Sequence, residues 1–240
     1  MLNVIIPIAG SSEGFAKEGH FYPKPIIEIK GKPMIQWVTE PLYTITVPFK
    51  LIFIIKEEDA STFHLDNILK ILHPKSEIIQ LKKETKGGLC SVLMAIDCIN
   101  DADPLLLLNS DQILNIDFQK VLNYWEHNQV EAGVVTFPSI HPRWSYILVR
   151  QDKIIQTAEK NPISNMAIAG YYYFNNSGNF FSSAFNSIIK DDNVKGNFYI
   201  SSVLNEYILN NQKVSFWEID KNEYTSFYSP NLISKFENKK

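Results

Sequence analysis

Cysteine is scarce in this chain, basic charge is not in excess, and no apolar run is long. The 240 residues hold two cysteines, Cys90 and Cys98, and 23 Lys and Arg against 26 Asp and Glu, for a formal net charge of −3. Eight positions separate the cysteines within one helix-patterned stretch, so they cannot reach the Cα separation of about 5.5 Å that a disulfide prefers. They read as reduced, buried small residues of a cytoplasmic protein. Five histidines, His20, His64, His73, His127 and His141, are scattered without ligand spacing, which argues against a structural zinc site. The near-neutral charge excludes electrostatically driven binding to nucleic acid or to an anionic membrane surface. No run approaches the roughly 20 apolar residues of a spanning helix, so no membrane insertion is expected. Met1-Leu2-Asn3-Val4 has no basic segment and its apolar run stops at Gly10, so no signal peptide is expected.

What is present is ample apolar material: 45% of residues, with 12% aromatic and 20% charged, a composition that argues against disorder. Leu2 to Ile8 reads as a buried strand running into the small residues Ala9-Gly10-Ser11-Ser12. Pro33 opens a helical stretch that Pro41 ends or kinks. Lys50 to Lys56 predicts a strand, Asp59 to Leu72 a helix, Ser76 to Leu81 a strand and Leu89 to Ile99 a helix. Leu105 to Leu108 is an all-leucine strand ending at Asn109-Ser110-Asp111. Strands alternating with helices imply a parallel sheet. The second half adds strands at Ala132 to Phe137, Tyr146 to Arg150, Lys153 to Thr157 and Ile168 to Phe174, with short connections that suggest antiparallel pairing. Helices near Phe180 to Ile189 and Ser201 to Leu209 and a strand at Lys213 to Ile219 follow, then a loop at Lys221 to Thr225 and a frayed tail at Asn238-Lys239-Lys240. No linker or internal repeat interrupts residues 1–240, which reads as a single α/β domain.

Ligands of open α/β sheets sit beyond the carboxyl ends of the strands. Ala9-Gly10-Ser11-Ser12-Glu13-Gly14 occupies such a place, and its small residues suit close backbone approach to a phosphate or base, or simply an ordinary turn. It has neither the glycine spacing of a dinucleotide fingerprint nor the Lys-Ser/Thr of a P-loop. Asp111 emerges past the leucine strand, where a carboxylate serves as a hard oxygen ligand for Mg²⁺ or as a cap. Lys24, held between Pro23 and Pro25, suits a point-charge contact to phosphate, or is a plain surface lysine. In the strand Tyr171-Tyr172-Tyr173, alternation sends Tyr172 to the face opposite its neighbours, and core packing is the expected use of most of these rings.

Taken in order, these segments resemble the nucleoside-triphosphate:sugar-1-phosphate nucleotidyltransferases, the family of glucose-1-phosphate thymidylyl- and cytidylyltransferases. Ile6 to Trp37 is similar to that family's opening, Thr85 to Ser91 to its second glycine-bearing turn, and Leu107 to Gln112 to its metal-aspartate strand. Ala158-Glu159-Lys160-Asn161-Pro162 resembles its Glu-Lys motif, and Ala169-Gly170-Tyr171 the glycine-led strand that follows. The resemblance runs from Asn3 to about Phe236. It implies a Rossmann-like three-layer sandwich with a mixed, mainly parallel sheet, the nucleotidyltransferase fold shared with GT-A glycosyltransferases. It also implies transfer of a nucleotide from a nucleoside triphosphate to a sugar-1-phosphate, with pyrophosphate released and a nucleotide sugar formed for surface-glycan synthesis. By the same resemblance Ala9, Gly10, Ser11, Ser12, Gly14, Gly87 and Gly88 hold the nucleotide. Lys24 and Asp111 are catalytic, with Asp111 carrying the cofactor Mg²⁺. Glu159, Lys160 and Gly170 hold the sugar phosphate. A homo-oligomer is compatible with the pattern, and the length leaves no room for an appended left-handed β-helix.

Two positions depart from the family. Gly14 stands where the first loop usually has an arginine, with Lys17 three residues on and Ser12 in place of a glycine. Ser226 stands where many members place a second metal carboxylate, with Asp220 nearby. Three readings follow: an active transferase in which Lys17 or Lys24 compensates with Mg²⁺, a binding protein that has lost the chemistry, or a glycosyltransferase. The last needs a carboxylate pair at a strand's carboxyl end. Asp101-Ala102-Asp103 has that spelling but precedes the leucine strand, and so reads as a polar turn.

Overall fold

The computed structural model describes residues 1–238, so Lys239 and Lys240 of the expected tail lie outside the described residues. In chain order the strands are β1 (Leu2–Pro7), β2 (Glu28–Ile29), β3 (Lys32–Pro33), β4 (Phe49–Lys56), β5 (Glu77–Leu81), β6 (Leu105–Leu108) and β7 (Gln112–Leu114). Then come β8 (Ala132–Pro138), β9 (Ser145–Arg150), β10 (Lys153–Glu159), β11 (Met166–Phe174), β12 (Val214–Glu218) and β13 (Tyr224–Ser226). The helices are α1 (Glu13–Ala16), α2 (Met34–Thr39), α3 (Glu57–Phe63), α4 (Leu65–Leu72), α5 (Gly88–Leu93), α6 (Phe118–His127), α7 (Ser177–Ile189), α8 (Ile200–Leu209) and α9 (Pro230–Glu237).

Nine strands form one mixed sheet. Its path runs β10-β9-β11-β6-β1-β4-β5, and β8 pairs with both β11 and β12. From β6 to β5 all pairings are parallel, as the strand-helix alternation predicts, whereas β11 runs antiparallel to β6, β8 and β9. Alternation assigns the side chains to two layers. Val4, Ile6, Phe53, Leu106, Leu108, Tyr171 and Tyr173 face α2, α6 and α9, while Ile5, Ile52, Ile54, Leu105, Leu107 and Phe174 face α5, α7 and α8. These strands bury both faces, which explains their unbroken apolar spelling.

Four expectations need correction. The helix expected over Asp59 to Leu72 is two, because His64 turns left-handed at φ 53° and closes α3 as it opens α4. The helix expected over Leu89 to Ile99 ends at Leu93, and the chain continues as a 3₁₀ turn over Ile96–Cys98. Both cysteines are free and only half-buried. The loop expected at Lys221 to Thr225 instead contains a 3₁₀ turn, Lys221–Glu223, and runs into β13, whose partner is β7. Helix α6 lies on a stretch the sequence reading left unassigned; Asp117 caps it by accepting the Lys120 amide at 3.1 Å.

Trp125 of α6 is fully buried, stacked on Tyr173 with centroids 5.3 Å apart and tilted on Tyr171 at 5.6 Å. A Cβ added at Gly133 of β8 would stand 2.5 Å from that indole, so glycine is required for the helix to reach the sheet. Trp125→Ala is expected to cost about 3–5 kcal/mol, read as a lower midpoint in urea unfolding.

His73 ends α4 against Phe53, with Nε2 3.0 Å from the Thr39 hydroxyl, and burial holds its imidazole below the ordinary histidine range. A lowered folded-state value means that the unfolded chain binds the proton first. The contribution of His73 is therefore complete above about pH 7 and declines as pH falls through about 6.5. The difference in unfolding free energy between the native chain and His73→Gln should shrink between pH 7 and pH 5; a constant difference would contradict this.

Candidate active site

A cleft of about 790 Å³ opens beyond the carboxyl ends of β1 and β6. Its walls draw on Ala9, Gly10 and Ser11 after β1, the Thr85–Ser91 turn, Asn109 to Asp111 after β6, Glu159 at the end of β10 and Lys160 after it. Segments far apart in sequence therefore meet where the sheet topology predicts a ligand site.

The first wall is built around Ser12. Its hydroxyl accepts the Lys24 amide at 3.1 Å, and its carbonyl accepts the Phe15 and Ala16 amides that begin α1. Ser12 thus ties the glycine loop to the Pro23-Lys24-Pro25 segment. The Lys24 ammonium crosses to Asp111 Oδ2 at 2.8 Å; both side chains are about one-fifth exposed. Ser12, Gly14 and Lys24 stand behind the surface formed by Ala9, Gly10 and Ser11, with Lys24 joined to the cleft through Asp111. Gly14 and Lys17, the latter at the end of α1, are exposed and neither is among the residues that line the cleft.

The second wall is the turn into α5. Gly87 has φ +100°, and a Cβ there would lie 2.4 Å from the Phe198 carbonyl oxygen. The same backbone donates from Phe198 N to the Lys86 carbonyl at 2.8 Å and accepts from Leu89 N at 3.2 Å. The Thr85 and Ser91 hydroxyls close the turn at 2.7 Å.

The third wall carries the Glu-Lys pair. Glu159 Oε2 accepts from the Ser201 hydroxyl at 2.8 Å and from that of Ser145, leaving Oε1 without a donor among the described residues. Lys160 is left-handed at φ 54°; its ammonium donates to the Tyr199 hydroxyl and lies 4.5 Å from that ring's centroid. Tyr172 faces the cleft while Tyr171 and Tyr173 enter the core, as alternation predicts. Burial pushes the Tyr172 phenol up, the Glu159 charge adds to this, and a hydrogen bond with Ser145 opposes it. Gly170 is buried and does not line the cleft. With φ +61° it lets Asn109 pack where a Cβ would stand 2.3 Å from Nδ2, and its carbonyl accepts the Asn109 amide at 2.9 Å.

Asp111 brings one carboxylate to the cleft, with its Oδ2 paired to Lys24. Mg²⁺ takes one or two carboxylates together with substrate phosphates and water, so a single aspartate at an open cleft fits that donor set. Ser226 lies opposite Gln112 in the β13–β7 pairing, and the Phe227 amide donates to the Asp111 carbonyl at 2.7 Å. The position of the family's second carboxylate is therefore beside Asp111 but holds a hydroxyl. Asp220 is not among the residues that line the cleft, and its amide donates to Glu223 Oε2 at 2.8 Å. Among the described residues no group of three or more His, Cys, Asp or Glu side chains could hold a metal. Asp101 and Asp103 lie at the amino end of β6, away from the cleft, with Asp103 paired to the Met1 ammonium at 2.8 Å.

One side chain of the cleft escaped the sequence reading. Arg143, half-buried, lies between two rings, its Cζ 5.4 Å from the centroids of both Trp144 and Tyr228. Its signal would have been a charged residue flanked by Pro142 and Trp144 just ahead of β9, a pattern with no specific meaning in isolation.

Residues 20–221 match the family model described as nucleotidyl transferase, and the chain belongs to that family. It is similar to the bifunctional protein GlmU of Methanocaldococcus jannaschii, with 29% identity over 177 residues, 72% of this chain and 40% of that protein. It is also similar to the mannose-1-phosphate guanylyltransferase catalytic subunit beta of Dictyostelium discoideum, with 27% identity over 160 residues, 64% of this chain and 44% of that one. The chain thus spans about two-fifths of the length of the curated relatives it matches. Among solved structures, a nucleoside-diphosphate-sugar pyrophosphorylase from Vibrio cholerae RC9 shares the fold, with a TM-score of 0.84 and 23% identity over 98% of this chain and 99% of that one.

Gly87→Ala is expected to cost about 1–3 kcal/mol through its left-handed φ and the Phe198 contact, a loss of several degrees in melting midpoint. Gly88→Ala, whose added methyl meets nothing within 4 Å, should leave the midpoint nearly unchanged. Equal midpoints for the two variants would contradict the geometry.

Proposed function

We propose that this chain transfers a nucleotidyl group from a nucleoside triphosphate to a sugar-1-phosphate or similar phosphorylated acceptor. An acceptor phosphate oxygen attacks the α-phosphorus, the bond from that phosphorus to its β-bridging oxygen breaks, and pyrophosphate leaves. The product is a nucleotide sugar, with surface-glycan synthesis as its use. The observation that carries this reading is the convergence of two small-residue turns, the Lys24–Asp111 pair and the Glu159-Lys160 pair on one cleft.

Such a reaction needs positioning and charge neutralisation rather than a covalent intermediate. Gly10, Ser11, Gly87 and Gly88 give a base and ribose close approach to the backbone. The uncommitted oxygen of Glu159 accepts from an acceptor hydroxyl. Lys160, steadied by Tyr199, neutralises the acceptor phosphate, and Lys24 balances Asp111 and the phosphates beside it. Mg²⁺, when bound at Asp111, supplies Lewis-acid stabilisation of phosphate charge.

A second reading, a nucleotide-binding protein without turnover, draws on Gly14 and Ser226, which both thin the charge at the phosphates. Pyrophosphate release from a panel of triphosphates and sugar or polyol phosphates separates the two readings. The expected outcome is turnover with one pair, reduced about 10²-fold or more in Asp111→Asn. Calorimetric binding of a triphosphate without turnover of any pair would favour the second reading, and absence of both would refute each.

A further inference from the structure

Lys24 is already committed to Asp111, and the Lys160 ammonium to the Tyr199 hydroxyl. The loop that in the resembling family carries an arginine ends here in Gly14, and Lys17 does not line the cleft. One guanidinium nevertheless faces the cleft. Arg143 forms no ion pair among the described residues. Its Nε donates to His141 Nδ1 at 3.2 Å and its Nη2 lies 3.3 Å from His141 Nε2, which leaves the Nη1 edge without a partner among the described residues. An arginine that presents a free edge from between two aromatic faces is prepared for a bidentate oxyanion contact and loses little side-chain entropy in making it.

Its support is rigid and leads back to Asp111. Trp144 packs edge-on against Tyr224 at 5.5 Å, and Tyr224 stacks on Phe137 of β8 at 4.0 Å, so the Arg143 loop is fastened to the sheet. The other ring beside the guanidinium, Tyr228, follows Phe227, whose amide binds the Asp111 carbonyl. Arg143 and Asp111 both line the cleft, and the adjacent residues Phe227 and Tyr228 contact one each.

We propose that Arg143 supplies from the β8–β9 side the guanidinium that position 14 lacks, binding a substrate phosphate beside Asp111. The inference rests on the transfer reaction proposed above. The phosphate belongs either to the triphosphate or to the acceptor, and the test distinguishes them. In the full chain, Arg143→Ala and Arg143→Lys are compared with the native protein by calorimetry, using Mg²⁺-pyrophosphate and a panel of sugar 1-phosphates as separate probes. Steady-state turnover is then measured with any pair the native protein uses. Arg143→Ala should weaken one probe about tenfold or more and lower kcat about 10²-fold, with lysine restoring only part of each, because it lacks the fork. Added guanidinium ion should partly rescue the alanine variant, which loss of loop packing alone would not allow.

Weakening of pyrophosphate alone assigns Arg143 to the triphosphate, and weakening of the sugar phosphate alone assigns it to the acceptor. Unchanged affinity for both probes, with turnover within about twofold of native, overturns the proposal. A native protein that binds the probes but turns over no pair refutes the transfer reading, and the role of Arg143 is then decided by the binding comparison. A native protein that binds neither probe overturns both.

Discussion

The cleft side of the sheet depends on the left-handed backbone at Gly170. Before that residue β11 pairs with β9, at Ala167 opposite Tyr146; after it, Tyr171 pairs with Leu108 of β6. The pairing with β8 shifts register over the same interval. One irregular residue thus joins a parallel α/β half to an antiparallel half and opens room for Asn109, which carries the chain toward Asp111. Without a side chain at position 170 the two halves of the cleft meet, and a methyl group there would push on the residues that lead to the carboxylate.

The charge that this site needs is local, and a net charge of −3 conceals it. Each cation at the cleft is held by a different means: Lys24 by an ion pair, Lys160 by a phenol and a ring face, Arg143 by two rings and an imidazole. Held groups need little reorganisation when phosphate arrives, which is the electrostatic requirement of an in-line displacement.

How much of this was legible in the sequence follows from the range of the forces. The leucines of β6 and the isoleucines of β1 announce strands because burial on both faces needs no distant partner to be recognised. Tyr172 was separable from its neighbours by alternation alone. The break at His64 was not legible, because Leu65 and Leu69 continue the apolar spacing across it and only the backbone angle divides the helices. The β13–β7 ladder escaped for the opposite reason: Tyr224-Thr225-Ser226 is polar and short, and its strand character comes from Gln112-Ile113-Leu114 far away. Ala9, Gly10, Ser11, Gly87, Gly88, Asp111, Glu159 and Lys160 emerge on the cleft because motif order reflects strand order. Gly170 shapes it from behind. Arg143 depends on Tyr228 near the other end of the chain, a relation that no local pattern encodes.

The backbone of Phe198 forms a splint between the two ends of the cleft. It is bonded on one side to Lys86 and Leu89, and its next residue, Tyr199, carries the Lys160 ammonium. The glycine turn and the Lys160 ammonium are thus held by adjacent residues of one peptide segment, so the two walls of the cleft share a single backbone support.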